Sequence, residues 1–289
     1  MGWNKSLLAA AAARVTGLVP AVGAAVGLAL AGGPAYADQP VSGQFGFQEA
    51  ASPLMERIQS FHDLLLVIIT AITVFVLVLM LYVMFRFRES ANPTPSRTSH
   101  NTLIEIIWTI APVLILVVIA IPSFRLLYYG DAAPKAEMTI KVTGHQWYWS
   151  YEYPDHGAFT FDSNMVQDAD LKPGQPRLLT ADNPLVVPVG TQVRVLTTST
   201  DVIHSFFMPS FGMQKYAMPG RTNEAWFQAD KVGTFYGQCN QICGFYHAYM
   251  PVEIQVLSKE DFAKWAEAAK TKYARADAPA PTVAAATLN

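Results

Sequence analysis

Within the run Cys239-Asn240-Gln241-Ile242-Cys243-Gly244-Phe245-Tyr246-His247-Ala248-Tyr249-Met250 the chain gathers both of its cysteines, a histidine and a methionine. Thiolate, imidazole and thioether are soft or borderline donors that favour copper, whereas magnesium and calcium prefer carboxylates and carbonyls. Two thiolates separated by three residues face one point when the backbone curls, and His247 and Met250 follow at spacings that let the same turn deliver both. A mononuclear blue-copper site uses one cysteine, two histidines and a weak methionine. The second cysteine points instead to two bridging thiolates holding two copper ions, which spreads one electron over both and lowers the reorganisation when it moves on. Electron transfer is the chemistry such a donor set serves. The competing use of the pair is a disulfide, which would close a very small loop, gain little from cross-linking and have to meet strict Cα separations.

A further histidine is still needed. His204 follows the alternating run 192–199 and precedes Ser205-Phe206-Phe207, so a strand end can bring it to a loop near the carboxyl terminus. His62 borders a long apolar run, His100 lies between two such runs, and His156 sits in a Pro-Asp-His-Gly turn. His145, beside Gly144 and close to Trp147, reads as a strand-end histidine.

The elements that must position these donors are strands. From about residue 135 the pattern has period two: Ile140 and Val142, then Val193 and Val195, then Val252, Ile254 and Val256 alternate with polar residues. Turn signals at Pro173-Gly174, Asp182-Asn183-Pro184 and Pro219-Gly220 separate the runs, which predicts a β-sandwich or barrel of about 120 residues over 135–257. Ser258-Lys259-Glu260-Asp261 reads as a helix start for a short helix over 258–276. The Ala/Pro-rich tail 277–289 is too poor in large apolar groups to pack and is expected to be disordered.

Upstream the reading is a membrane hairpin. Leu64 to Phe85 is an unbroken apolar run of about 33 Å as a helix, and a second run, 103–121, contains Pro112. Arg86, Arg88 and Arg97 stand against Glu89 in the connection, which the positive-inside rule places in the cytoplasm. Both ends of the mature chain then face outward, with 64–128 as the hairpin and 38–63 as an external segment. Lys5, Arg14, a long small-apolar stretch and Ala35-Tyr36-Ala37 read as a secretory signal over 1–37, the alternative being an uncleaved anchor. The chain has 289 residues, 52% of them hydrophobic, and a formal charge of -2. That balance suits partial burial in lipid and argues against nucleic-acid binding. The absence of Cys-x-x-Cys-His excludes a c-type haem attached to this chain.

Taken together, the two-span hairpin, Gly144-His145-Gln146-Trp147-Tyr148-Trp149-Ser150-Tyr151-Glu152-Tyr153, Asp201-Val202-Ile203-His204-Ser205, Pro219-Gly220-Arg221 and the cysteine loop resemble subunit II of haem–copper cytochrome c oxidases. The resemblance covers nearly the whole mature chain. It implies a membrane-anchored α+β protein, a two-helix transmembrane hairpin followed by an all-β cupredoxin-like Greek-key sandwich, in a bacterial plasma membrane with the copper domain on the periplasmic side. It implies a dinuclear copper A centre held by His204, Cys239, the backbone carbonyl of Gln241, Cys243, His247 and Met250. Where the family usually has a glutamate that also ligates magnesium at the subunit I interface, this chain has Gln241. An amide oxygen is a weaker, uncharged ligand, so the copper role passes through the backbone while the magnesium role loses its carboxylate.

The same resemblance makes Trp147 the point where electrons enter from cytochrome c, and Glu152, Asp182 and Asp201 docking acids for that basic partner. As bare residues, Tyr148 and Trp149 read equally as core or exposed aromatics, and the scattered acids as a solvated face. Glu105 is matched to the mouth of a proton pathway into subunit I, although a capping box with Thr102 explains it structurally. The resulting expectation is the electron-entry subunit of a proton-pumping respiratory oxidase, with oxygen reduction in subunit I. Two readings compete with it: a copper-delivery protein, which needs neither hairpin nor Trp147 segment, and a quinol-oxidase-type subunit II, which lacks the copper ligands. Nitrous oxide reductase shares such a centre but not the two-span anchor.

Overall fold

A computed structural model describes residues 36–131 and 135–274; the expected signal and the expected tail lie almost entirely or wholly outside them. The described part begins with a three-residue strand, β1 (Tyr36–Asp38). The first helix, α1 (Pro53–Arg86), is capped by Ser52, whose backbone is extended and whose side-chain oxygen accepts from the Met55 N–H at 3.0 Å. Proline at the first helical position loses no needed donor. At 34 residues the helix is about 50 Å long, well beyond the roughly 30 Å of hydrocarbon in a bilayer. The helix therefore starts before the apolar run at residue 64, and its first turns dock on protein. Leu54 and Met55 are buried, and Ser52 Oγ donates to the Phe211 carbonyl at 2.8 Å. Gly212 (φ +64°) permits this approach, because a Cβ there would lie 2.6 Å from Ile58 Cδ1.

The second helix, α2 (Thr102–Asp131), runs continuously through Pro112 and Pro122. Its cap is Asn101, whose side-chain oxygen accepts from the N–H groups of Leu103 and Ile104 at 3.1 and 3.2 Å. The capping box expected from Thr102 and Glu105 thus gives way to a cap one residue earlier, because asparagine reaches the free N–H groups of the first turn itself. Both helices are long and apolar enough to cross a membrane, and neither buries any of its apolar window. At the opposite end of α2, Tyr129 stands edge-on to Trp226 at 5.5 Å while the Arg57 guanidinium lies 4.0 Å over the Tyr129 ring.

Ten strands follow: β2 (Met138–His145), β3 (Tyr148–Tyr153), β4 (Phe159–Ser163), β5 (Leu185–Pro188), β6 (Gln192–Ser199), β7 (His204–Met208), β8 (Met213–Ala217), β9 (Asn223–Gln228), β10 (Gly233–Cys239) and β11 (Pro251–Leu257). They form a sandwich of two sheets. One sheet has the order β4-β3-β2-β6-β9, the other β5-β11-β10-β7-β8. β2 runs parallel to β6 and β5 parallel to β11, with the remaining neighbours antiparallel. The expected alternation holds where it positions the site: Ile140, Val142, Val193, Val195, Val252, Ile254 and Val256 are all fully buried between the sheets. Gly237 lets β10 lie against β7, since a Cβ there would run into the Phe207 carbonyl oxygen. The last helix, α3 (Lys259–Lys272), starts on a reciprocal pair: Ser258 Oγ accepts from the Asp261 N–H at 3.1 Å and donates to the Asp261 carboxylate at 2.8 Å.

Candidate metal centre

Three pieces of backbone converge at one end of the sandwich: the start of β7, the end of β10, and the loop from Asn240 to Met250 that leads into β11. The loop is pinned at both ends. Cys239 N–H donates to the Met250 carbonyl at 3.1 Å, and Asn240 N–H donates to Ser205 at 3.1 Å, beside His204. The curl expected from the Cys-x-x-x-Cys spacing therefore closes on itself and faces β7.

The donors meet inside this curl. Cys239 and Cys243 are both free and buried, with sulfurs 3.9 Å apart, too far for a disulfide. Cys239 Sγ lies 4.0 Å from His204 Nδ1 and 3.3 Å from the Gln241 carbonyl oxygen. Cys243 Sγ lies 3.5 Å from His247 Nδ1 and 3.5 Å from Met250 Sδ. Every residue expected to hold metal is thus in one cluster, and the ligand atoms of His204, Cys239 and Cys243 all fall within 4.8 Å of one another. Two thiols, two imidazoles, a thioether and a carbonyl around a shared centre fit soft-metal chemistry.

The electrostatics favour a cation there. Burial pushes the Cys243 thiol up to about 12, helped by the negative charge of Cys239 beside it. Burial also opposes ionisation of Cys239, but the hydrogen bond from His204 and backbone polar contacts at Ser205 and Gln241 outweigh it and bring that thiol down. Asp201 accepts from His204 Nε2 at 2.8 Å, which orients the ring with Nδ1 toward Cys239, where a bound metal would take the place of the Nδ1 proton. A carboxylate behind a ligating histidine orients the ring and raises its basicity.

The other expected site residues divide. Trp147, in the β2–β3 turn, is half-buried and stands edge-on to Tyr246 of the cysteine loop at 4.9 Å. A groove of about 310 Å³ beside it is lined by Trp147, Asn164, Met165, Gln167, Tyr246 and Tyr249. Asp182 stands next to this groove, accepting from the Asn164 N–H at 2.7 Å. Asp201 accepts from the N–H of Gln146, the residue before Trp147, at 2.7 Å, and its carboxylate is engaged inward with His204 as well. Glu152 sits further along β3 in an ion pair with Lys141 at 3.3 Å. Glu105 is remote, near the start of α2 and about 40 Å along that helix from Asp131. Trp149 is fully buried against His204 and Phe206, whereas Tyr148 is half-buried and stacked on His145 at 4.5 Å.

Comparison with known proteins bears on the same two parts. The profile of the cytochrome c oxidase subunit II periplasmic domain matches residues 138–257, and that of its transmembrane domain matches residues 40–126. The probable cytochrome c oxidase subunit 2 of Rickettsia bellii is 51% identical over 249 residues, covering 86% of this chain and 92% of that protein. The chain belongs to the cytochrome c oxidase subunit II family. Cytochrome c oxidase subunit 2 of Cereibacter sphaeroides is 43% identical over 250 residues, covering 80% of this chain and 82% of its own length. The crystal structure of the periplasmic domain of subunit II from Bradyrhizobium japonicum has 55% identity, covers 50% of this chain and 100% of that one, and gives a TM-score of 0.47. Subunit II membership makes this a membrane-anchored part of an oxidoreductase complex with other oxidase subunits, and it implies a copper A centre, for which the buried Cys/His cluster is the candidate.

Two roles in the site region escape sequence reasoning. Asp201 is expected as a docking acid, yet its carboxylate holds His204; the signal for that is its i,i+3 spacing from the histidine. Gln146 carries no chemical signal at all, yet its side-chain amide donates to the Cys243 carbonyl at 2.7 Å.

Proposed function

We propose that this chain is the electron-entry subunit of a proton-pumping respiratory cytochrome c oxidase in a bacterial plasma membrane, taking electrons from cytochrome c and passing them to haem in subunit I. The observation that carries this reading is the convergence of Cys239, Cys243, His204, His247 and Met250, all but His247 buried, with an aromatic side chain, Trp147, packed against the same loop. Copper held by Cys239, Cys243, His204, His247 and Met250 would supply a one-electron site with small reorganisation.

The protein residues do the rest. His204 and His247 offer Nδ1 at either thiolate, and Met250 and the Gln241 carbonyl offer weak donors that tune the site without closing it. With His204, Cys239, Cys243 and Met250 buried and His204 held by Asp201, the ligands would move little when an electron is gained or lost, which would keep the structural cost of electron transfer low. Trp147 and Tyr246 present π-surface to a docking partner at the groove, and Asp182 with Asp201 adds negative charge beside it. Such charge steers a basic protein and raises its association rate more than its affinity. Glu152 is already paired with Lys141 and adds less. Glu105, exposed at the far end of α2, serves as the mouth of a proton route into subunit I. Gln241 provides no carboxylate for magnesium.

The reading is tested in the assembled oxidase. Cys243→Ala is expected to lose the dinuclear copper signal, and Trp147→Ala to slow turnover with cytochrome c while keeping copper. Normal copper content in Cys243→Ala would remove the site assignment, and unchanged turnover in Trp147→Ala would remove the entry role.

A further inference from the structure

Gln146 occupies the turn between β2 and β3, one residue before Trp147, and belongs to neither the donor set nor the aromatic pair. Its two amide groups bond in different directions. The backbone N–H donates to Asp201 Oδ2 at 2.7 Å, and the other oxygen of that carboxylate accepts from His204 Nε2 at 2.8 Å. The side-chain Nε2 donates to the Cys243 carbonyl at 2.7 Å. One residue is therefore tied to the β7 arm of the metal site through His204 and to the loop arm through Cys243.

Gly244 completes the arrangement. Its φ of +124° is one that side-chain-bearing residues rarely adopt, and a Cβ there would lie 2.9 Å from Gln146 Nε2, 3.1 Å from Trp147 Cζ2 and 3.4 Å from Trp147 Nε1. The loop backbone thus approaches the indole as closely as a chain without a side chain can. A single hydrogen bond of this kind contributes only about 1 kcal/mol to stability, so its loss leaves the domain folded. What it controls is position.

We propose that Gln146, together with Gly244, is a positioning residue for electron entry: it holds the Trp147 indole at a fixed, close spacing from the Cys243–Gly244 backbone, next to the metal-bearing thiolate. The proposal rests on the reading of Trp147 as the entry point. The step itself moves one electron from the reduced donor protein, which is oxidised by one, to the metal centre, which is reduced by one; Gln146 and Trp147 end unchanged and no proton or bond is transferred.

The test uses the copper-loaded oxidase with Gln146→Ala, Gln146→Glu and Gly244→Ala. The glutamate keeps the size of glutamine but has no N–H to donate. Misplacing reacting partners by about 1 Å can cost up to roughly 100-fold, so the maximal rate with reduced cytochrome c is expected to fall about tenfold or more in all three variants. KM should stay within about a factor of two, as expected when docking is untouched. Copper content and paramagnetic resonance spectrum should be those of the parent. In the full-length chain, amide exchange across 240–250 should rise severalfold with both Gln146 variants, a readout independent of turnover.

Unchanged rates and exchange in the Gln146 variants, alongside slow turnover in Trp147→Ala, would overturn the inference and leave the entry reading standing. Unchanged turnover in Trp147→Ala would overturn both. Loss of copper in Gln146→Glu would make the residue a structural support of the site, and a raised KM at unchanged maximal rate would make it a docking contact; either result overturns the positioning role.

Discussion

Two buried sulfurs 3.9 Å apart are a costly arrangement for a pair of thiolates and a favourable one for ligands of a shared cation. Burial and the neighbouring charge keep a proton on Cys243, and metal binding must displace it. The donor types were legible in the sequence because soft ligands at short spacing have few other uses in one loop. What was not legible is the residue behind the ligand. Asp201→Ala is expected to weaken copper affinity about 10- to 100-fold, the usual cost of losing a carboxylate that orients a ligating histidine, while Asp182→Ala leaves affinity unchanged; a competitive chelator titration separates the two.

Glu253 is a second case at this scale. Period-two alternation makes it an outward polar residue between Val252 and Ile254, but it is buried and accepts the Ala181 N–H at 2.7 Å. Burial raises its carboxyl from 4.5 to about 7, the Ala181 hydrogen bond only partly offsetting this. The folded state then holds the proton more tightly than the unfolded state. Its contribution to stability is fully present below pH 4.5 and is lost as pH rises through about 7, a change of up to roughly 3 kcal/mol. Glu253→Gln, which keeps an acceptor for Ala181, should therefore be more stable than the parent at pH 8 and similar at pH 4.5. Equal stability differences at both pH values, in denaturant titrations of the copper-free chain, would contradict this.

At the scale of elements, strand alternation located the sandwich and the apolar runs located both spans. The ends of the helices were less legible, because a cap is a matter of one residue's geometry: Asn101 takes the role expected of Thr102, and Ser52 starts α1 before its apolar run begins. Close packing between sheets was not legible either. Gly144 on β2 lies directly under His204 on β7, and a Cβ there would come within 2.8 Å of the ring. Gly144→Ala should cost about 1–3 kcal/mol by overpacking and should also lower copper affinity by tilting the imidazole. An equally stable variant with parental copper affinity would show that the strands can separate without disturbing the site.

For the whole molecule, the hairpin and the sandwich divide the work: α1 and α2 hold the chain in the membrane, and the sandwich presents the centre outside it. The charge asymmetry of 86–101 is the basis for placing that connection in the cytoplasm, an orientation we propose. Protease added to sealed, right-side-out vesicles should cut between α2 and β2 and spare 87–101, with the reverse in inverted vesicles. Cleavage of 87–101 in right-side-out vesicles would invert the topology and remove the periplasmic docking face.

The most direct test of the central claim is copper per chain in the purified subunit, measured together with its electron paramagnetic resonance spectrum. Two coppers sharing one unpaired electron are expected, with both cysteines unavailable to thiol reagents. A single copper with a mononuclear spectrum, or no copper with Cys239 and Cys243 joined as a disulfide, would contradict that claim.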